Sequence, residues 1–339
     1  MTLSERIKQA RKANHMSLRN LAGKANISAM AISKYERGLD TPSSGVLLRL
    51  AQALDISVDF FFRPVTVSVK LQMYRKHHTL GIKKQDVIQM HIQEWLERYL
   101  EVESIFEDEK QQGILPHYVI DNADEVEKAA EELRKSWNLG FDPIENMTQL
   151  LEDYCIKVGL VKGFEHFDAC TFISEQLQVI VTKADLPGDR QRFYLGHELG
   201  HLILEIEENL DSEKISNRFV GAFLAPAQSA RFELGRRRST LDMQELFLLK
   251  RRYGMSMQAW IFRAKDLEII SENEAIRLFH NFRVNGWYRH EPGEELPTEE
   301  PLRMERLIYR ALAEDLISRS RAQELLGKPL KLNWAAEVL

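Results

Sequence analysis

One thirteen-residue segment constrains this chain more than any other: Arg192-Phe193-Tyr194-Leu195-Gly196-His197-Glu198-Leu199-Gly200-His201-Leu202-Ile203-Leu204. His197 and His201 stand four residues apart, so on a helix both imidazoles leave the same face and can grip one zinc ion. Glu198 lies next along the helix, where it can act on a water as general base instead of serving as a ligand. Phe193, Leu195, Leu199, Leu202 and Ile203 flank the pair. Those apolar neighbours require the helix to be buried, which two chance histidines on a surface helix would not. A catalytic zinc site takes three protein ligands and keeps the fourth position open. The next stretch, Asp211 to Phe219, supplies a candidate third ligand. Ser212 reads as a helix cap, and Ile215, Phe219, Phe223 and Leu224 form the inward stripe of a second helix packed on the first. Glu213, in its first turn, is expected to complete a two-His, one-Glu site, with Asn217 one turn on hydrogen-bonding a ligand from behind.

The rest of the chain gives that helix a large context. At 339 residues, with 44% hydrophobic and 29% charged residues, it has the balance of a folded protein of two or three domains. Apolar runs stay short of the roughly 18 residues a bilayer crossing needs. Met1 to Ala13 is charged and lacks an apolar signal core, and two cysteines, Cys155 and Cys170, make no disulfide framework. A cytoplasmic protein without membrane association is the expectation. The formal net charge of −5 is uneven, because residues 1–64 hold ten Lys/Arg against five Asp/Glu and the remainder 36 against 46. A small basic head on an acidic body suggests one module for an anionic polymer and another for different work.

Residues 1–64 read as five short helices: Leu3 to Ala13, a second capped by Ser17, a third capped by Ser28 and ending near Gly38, Val46 to Leu54, and a brief fifth opened by Ser57. Phe60, Phe61 and Phe62 are left to close the core. Lys84 to Lys110 reads as a long helix with the stripe Val87, Met90, Trp95, Tyr99, Val102 and Ile105, packing on the next domain or pairing with a second copy. Glu125 to Trp137 and Ile144 to Cys155 are further helices. Three β-branched runs between Ile156 and Thr182 read as a small sheet, and everything after Pro187 returns to helical spacing. The fold class is mainly α with a small β-sheet, α+β. Trp260, Trp287 and Trp334 read as core residues.

Two resemblances follow from these residues. The string Ser17-Leu-Arg-Asn-Leu-Ala-Gly-Lys-Ala-Asn-Ile27-Ser28-Ala-Met-Ala-Ile-Ser33-Lys34-Tyr35-Glu36-Arg37-Gly38 resembles the Cro/repressor (XRE) type of helix-turn-helix. By position Ser28, Ala29, Met30, Ser33 and Lys34 face the major groove, and Arg37, Lys24 and Arg11 suit phosphates. Leu18 stands where that family usually has a phosphate-binding Gln. The segment from about Ile144 to Ala264 resembles the ImmA/IrrE-type zinc metallopeptidases, through its HELGH and the run Glu213 to Pro226. The resemblance implies His197, His201 and Glu213 as metal ligands, one zinc per chain, and Glu198 as general base. The flanking stretches Val65 to Asn138 and Tyr253 to Leu339 look like those of longer members that join the two modules.

The chain is accordingly divided into a helix-turn-helix domain (1–64), a linker with a long helix (65–122), a metallopeptidase domain (123–270) and a helical C-terminal region (271–339). The expected function is that of a DNA-binding transcriptional regulator, dimeric on a two-fold operator, whose zinc endopeptidase hydrolyses a repressor, a partner protein or itself. An antitoxin-like regulator paired with a toxin, or a ligand-sensing transcription factor that cleaves nothing, shares the same residues. For an oxyanion donor, Tyr194, His280 and His290 are the candidates, and Asp168 and Cys170 are placed at the substrate cleft.

Overall fold

A computed structural model describes residues 2–63, 70–72, 82–106, 115–163, 167–174 and 177–330. The fold is mainly α with small sheets, as the sequence patterns imply, and it divides into two units. The first comprises residues 1–111, 173–176 and 302–339, and the second 112–172 and 177–301.

In the first unit, α1 (Leu3–Ala13) is closed by a capping box in which Thr2 and Glu5 satisfy each other's backbone amides. Ser17 caps α2 (Leu18–Ala25), which ends at Asn26 in the left-handed region (φ 51°, ψ 52°). Asn tolerates that geometry, and the tight turn lets Ser28 cap α3 (Ala29–Glu36) two residues later. α4 (Ser44–Leu54) and a single 3-10 turn (Val58–Phe61) complete a core of Ile7, Leu21, Ile32, Leu50, Leu54 and Phe60, all buried. Phe62 does not join it; its side chain is 62% exposed, because the 3-10 turn points Phe60 and Phe61 inward instead. A short strand, β1 (Lys70–Gln72), precedes α5 (Ile82–Ser104).

The stripe expected on the long helix is only partly correct. Met90, Tyr99 and Val102 are buried, but so are Ile88, Ile92 and Leu96, while Val87, Trp95 and Ile105 are half-buried. The helix is wrapped on more than one side, which is why no single stripe describes it. One neighbour is α1, through Arg6. That guanidinium is fully buried, donates to Glu97 on α5 at 2.9 and 3.0 Å, bonds the Arg63 carbonyl, and stacks over Phe60 at 4.7 Å.

The second unit holds the HELGH helix. A strand, β2 (Tyr118–Ile120), leads to α6 (Ala123–Ser136), capped by Asn122, and α7 (Met147–Asp153). Then come β3 (Lys157–Val161), β4 (Ala169–Ser174) and β5 (Leu177–Lys183), in the order β4-β5-β3, with β3 and β5 parallel and Val158 opposite Ile180. Helix α8 (Gly188–Ile203) runs into β6 (Leu204–Ile206), which pairs in parallel with β2. That second sheet corrects the purely helical reading of everything after Pro187. Next are α9 (Ser212–Leu224), α10 (Ala227–Leu234), α11 (Met243–Tyr253), α12 (Met257–Asp266) and α13 (Glu272–Val284). Asp211, not Ser212, caps α9, accepting from the amides of Glu213 and Lys214. Those amide contacts hold the Asp211 carboxyl below its usual range.

Two buried arginines seal the other end of α9, where carbonyls lack helical partners. Arg134 donates to the Phe223 carbonyl at 2.6 Å, and burial pulls its pKa down to about 10. Arg263 donates to the Ala225 carbonyl at 2.8 Å while its other nitrogens grip both oxygens of Glu127. Trp260 is fully buried and Trp287 packs against the same core, while Trp334 lies outside the described residues.

Back in the first unit, α14 (Arg303–Ala313) and α15 (Arg319–Leu326) pack on α5 around Val102, Ile308, Ala322 and Leu325. Arg98 on α5 donates to the Leu325 carbonyl at 3.2 Å. The tail thus supplies the second neighbour of the long helix.

Candidate metal centre and DNA-reading surface

The start of α8 is held from three directions. Gly188 donates its amide to the Leu296 carbonyl at 2.8 Å, and a Cβ at this position would lie 2.2 Å from the Pro297 oxygen. Asp189, Lys250 and Glu291 form a buried triad with contacts of 3.1 and 3.0 Å. Burial pulls the Lys250 ammonium down, but the two carboxylates outweigh it and hold its pKa above the usual value. Glu299 accepts from Arg192 at 2.5 Å and from the Thr148 amide at 2.8 Å, and exchanges two bonds with Gln191. A strap of residues 291–299 therefore fixes the helix that presents the histidines.

The crossing of α8 and α9 depends on glycine. Gly196 and Gly200 are spaced four apart on the face of α8 that meets α9. A Cβ at Gly196 would sit 3.2 Å from Val220, and one at Gly200 would sit 3.2 Å from Phe219 and 3.6 Å from Ser216. Without side chains there, the backbones approach closely enough for Glu213 to reach the histidines. Its two oxygens lie 3.7 Å from His197 Nε2 and 3.7 Å from His201 Nε2. The three residues offer ligand atoms all within 4.8 Å of one another, the spacing of a common metal site.

The ring nitrogens behind this cluster are engaged. His197 Nδ1 is 3.0 Å from Asn217 Oδ1, and His201 Nδ1 is 3.4 Å from Ser216 Oγ. An amide oxygen only accepts, so this contact suits the His197 tautomer that carries its proton on Nδ1 and presents a lone pair at Nε2. The two Nε2 atoms are 3.0 Å apart, with the rings at 81°. Facing lone pairs at that distance repel unless a cation or a proton lies between them. Two imidazole nitrogens and one carboxylate are also the donor set of a catalytic zinc, so the residues fit the ion.

Glu198 is outside this ligand set, and its Oε2 accepts from Thr171 Oγ1 on β4 at 2.6 Å. Both residues are buried, and Cys170 beside them is buried too, its thiol pushed well up by desolvation and then by the Glu198 charge. Tyr194 is bound to Asp168; burial, and then that carboxylate, push its phenol to about 12. His280 is exposed on α13, and His290 is an exposed partner of Glu295. Thr171, Ser216, Gly196 and Gly200 were not singled out as site residues. Ser216 and the glycines carry a sequence signal, since Gly196 and Gly200 directly precede the two histidines and Ser216 lies three residues after Glu213. Thr171 carries none, because only the sheet brings it to α8.

On the helix-turn-helix, Met30 is 68% exposed and Lys34 and Arg37 are exposed along α3. Ser28 is exposed, but its hydroxyl accepts from the Ala31 amide as a cap; Ala29 and Ser33 are half-buried. Arg37 folds back to donate to the Ser33 carbonyl at 3.1 Å. Arg11 corrects the sequence reading: it is clamped to both oxygens of Glu36 and to the Met16 carbonyl, so its charge ties α1 to α3 and is not offered to phosphate. Leu18, where that family usually has Gln, is half-buried and packs against the core.

Residues 7–61 match a family model described as helix-turn-helix, and residues 164–265 match one described as IrrE N-terminal-like domain. The chain therefore joins a DNA-binding helix-turn-helix domain of the XRE type to a peptidase-family domain of the IrrE type. Among curated relatives, two uncharacterized HTH-type transcriptional regulators of Mycobacterium tuberculosis, from strains CDC 1551 / Oshkosh and ATCC 25618 / H37Rv, are each 38% identical over 56 residues. The match covers 16% of this chain and 40% of either relative, so the chain spans less than half the length of those proteins. Among the described residues, no helix is long and apolar enough to cross a membrane.

Proposed function

We propose that this chain is a cytoplasmic transcriptional regulator whose residues 1–64 bind operator DNA as a dimer. In this reading residues 123–270 form a zinc endopeptidase acting on a protein substrate. The observation that carries the reading is the convergence of His197, His201 and Glu213 from two helices; Glu198, next along α8 from His197, is held by Thr171. His197, His201 and Glu213 would hold one zinc, and Asn217 would fix the His197 tautomer. When bound, zinc acidifies the attacking water and polarises the scissile carbonyl. Glu198 takes the proton of that water on the oxygen not occupied by Thr171, and returns it to the leaving amine as the C–N bond breaks. Buried Leu195, Leu199 and Leu202 keep bulk water from the helix face behind the site.

Elemental analysis of the purified chain is expected to give one zinc per molecule. Glu213→Gln should weaken zinc binding by more than the roughly 10–100-fold that loss of an outer partner costs. A folded chain without transition metal, or zinc affinity unchanged in Glu213→Gln, would remove the basis of the reading.

For the DNA head, replacing Lys34 and Arg37 by Ala should weaken binding to a random-sequence duplex and flatten its salt dependence. Each phosphate contact contributes about 0.9 to the slope of log K against log salt, so a loss of roughly 1.8 is expected. Zinc content should not change. A salt slope equal to that of the unaltered chain would assign the phosphate contacts to another face.

A further inference from the structure

The second unit contains an open cavity of about 620 Å³, none of whose lining residues belongs to the His–Glu cluster. Its charged walls come from separate elements: Arg218 from α9, Arg237 and Arg238 from the loop after α10, and Lys265 from the end of α12. Three of these cations are poorly neutralised. Arg218 Nε is buried and donates no hydrogen bond among the described residues. Its nearest carboxylate oxygens are Glu127 Oε1 at 3.5 Å and Asp124 Oδ1 at 3.8 Å, and both oxygens of Glu127 already accept from Arg263 at 2.6 and 2.8 Å. Arg237 is exposed and has no carboxylate partner among the described residues. Lys265 lies 3.6 Å from Asp266, whose carboxyl is pushed up by burial in spite of Lys265, Arg218 and Arg263. The other lining acids, Glu268 and Glu272, are exposed at the rim. Only Arg238 has a close partner, Glu245 at 2.8 Å.

Cations converging on one concavity repel each other, and apart from the Arg238–Glu245 pair their carboxylate contacts are 3.5 Å or longer. An anion entering the cavity relieves that repulsion. Guanidinium forks and an ammonium are the groups that bind phosphate oxygens best. The volume lies in the range of small-molecule sites and exceeds what a lone oxyanion fills. Ile269 and Ile270 add an apolar wall for the remainder of the ligand. We propose that this cavity binds a phosphorylated small molecule of nucleotide size, through Arg218, Arg237 and Lys265. Arg218 follows Asn217 on α9, so a ligand that grips it also holds the helix carrying Glu213. The binding site itself stands apart from the hydrolytic reading.

The test is calorimetric titration of the full chain with ATP, and with adenosine as the phosphate-free control. ATP should bind saturably and adenosine should not. The double variant Arg237→Ala/Lys265→Ala, both at exposed or half-exposed positions, should lose at least tenfold in affinity while melting like the unaltered chain. Arg218→Gln should lose a similar factor. Glu213→Gln and Lys34→Ala/Arg37→Ala should retain ATP binding. Absence of saturable ATP binding, or equal affinity in the cavity variants, overturns the proposal. So does loss of binding in Glu213→Gln or in the α3 variant, because the phosphates would then sit at the metal cluster or on the DNA-reading surface.

Discussion

Glu198→Gln is expected to keep its zinc and lose its hydrolytic activity. Gln has the shape of Glu, and its side-chain oxygen can still accept the Thr171 hydroxyl that now lies 2.6 Å from Glu198 Oε2. The three metal-directed side chains, His197, His201 and Glu213, are untouched, so zinc stoichiometry and the melting temperature should be preserved. The amide cannot take a proton from water at neutral pH, and general acid–base assistance of this kind is worth about 10²–10⁴ in rate. Because the proposed substrate is a protein of unspecified sequence, the measurement is a census of new protein N-termini in cells expressing either form from the same promoter. Termini generated by the unaltered chain should be absent with Glu198→Gln. If both forms generate the same termini, or rescue a deletion equally well, the enzymatic part of the proposed function fails while the DNA-binding part stands.

Much of this site was legible because its signals are local. Two histidines four apart on an apolar helix, and an acid in the first turn of the next, are short-range patterns, and the fold brings those same side chains together. Helix starts in the head were equally readable, since Ser17, Ser28 and Ser57 cap the elements that follow them. What escaped depends on distant chain. Thr171 reaches Glu198 only through the packing of a strand on α8. The strands β2 and β6 are three residues each and pair in parallel across more than eighty positions of sequence, too short for alternation to show. Arg11 looks like a phosphate ligand until Glu36 is seen opposite it. The true burial of α5 reflects α14 and α15, which arrive from the other end of the chain. A period read along one helix cannot report two neighbours on different faces.

That wrapped helix makes Arg6 the site of the second large expected effect. Arg6 and Glu97 are an ion pair with side chains 0% and 2% exposed, and Arg6 also satisfies the Arg63 carbonyl at the end of the head's core. Removing one member of such a pair leaves the other charge buried without compensation, at a cost of about 3–5 kcal/mol. Arg6→Met should therefore destabilise the first unit by roughly that amount in denaturant titrations, despite keeping an apolar stem over Phe60. The pH dependence identifies the cause. Burial pushes the Glu97 carboxyl above its usual range, and Arg6 is the largest influence pulling it back. Without Arg6 the folded-state pKa rises further above the unfolded value. A carboxyl raised in this way favours folding below its unfolded pKa, and that contribution is lost as pH rises through the folded one. The deficit of Arg6→Met should thus narrow toward acidic pH and widen toward neutrality. Replacing both partners, Arg6→Met with Glu97→Leu, removes the stranded charge and should recover most of the loss, since apolar substitutes for buried ion pairs are often neutral or stabilising. A single variant within 1 kcal/mol of the unaltered chain, or a double variant no better than the single, would show that the helix-turn-helix is held to α5 by its apolar contacts and not by this pair.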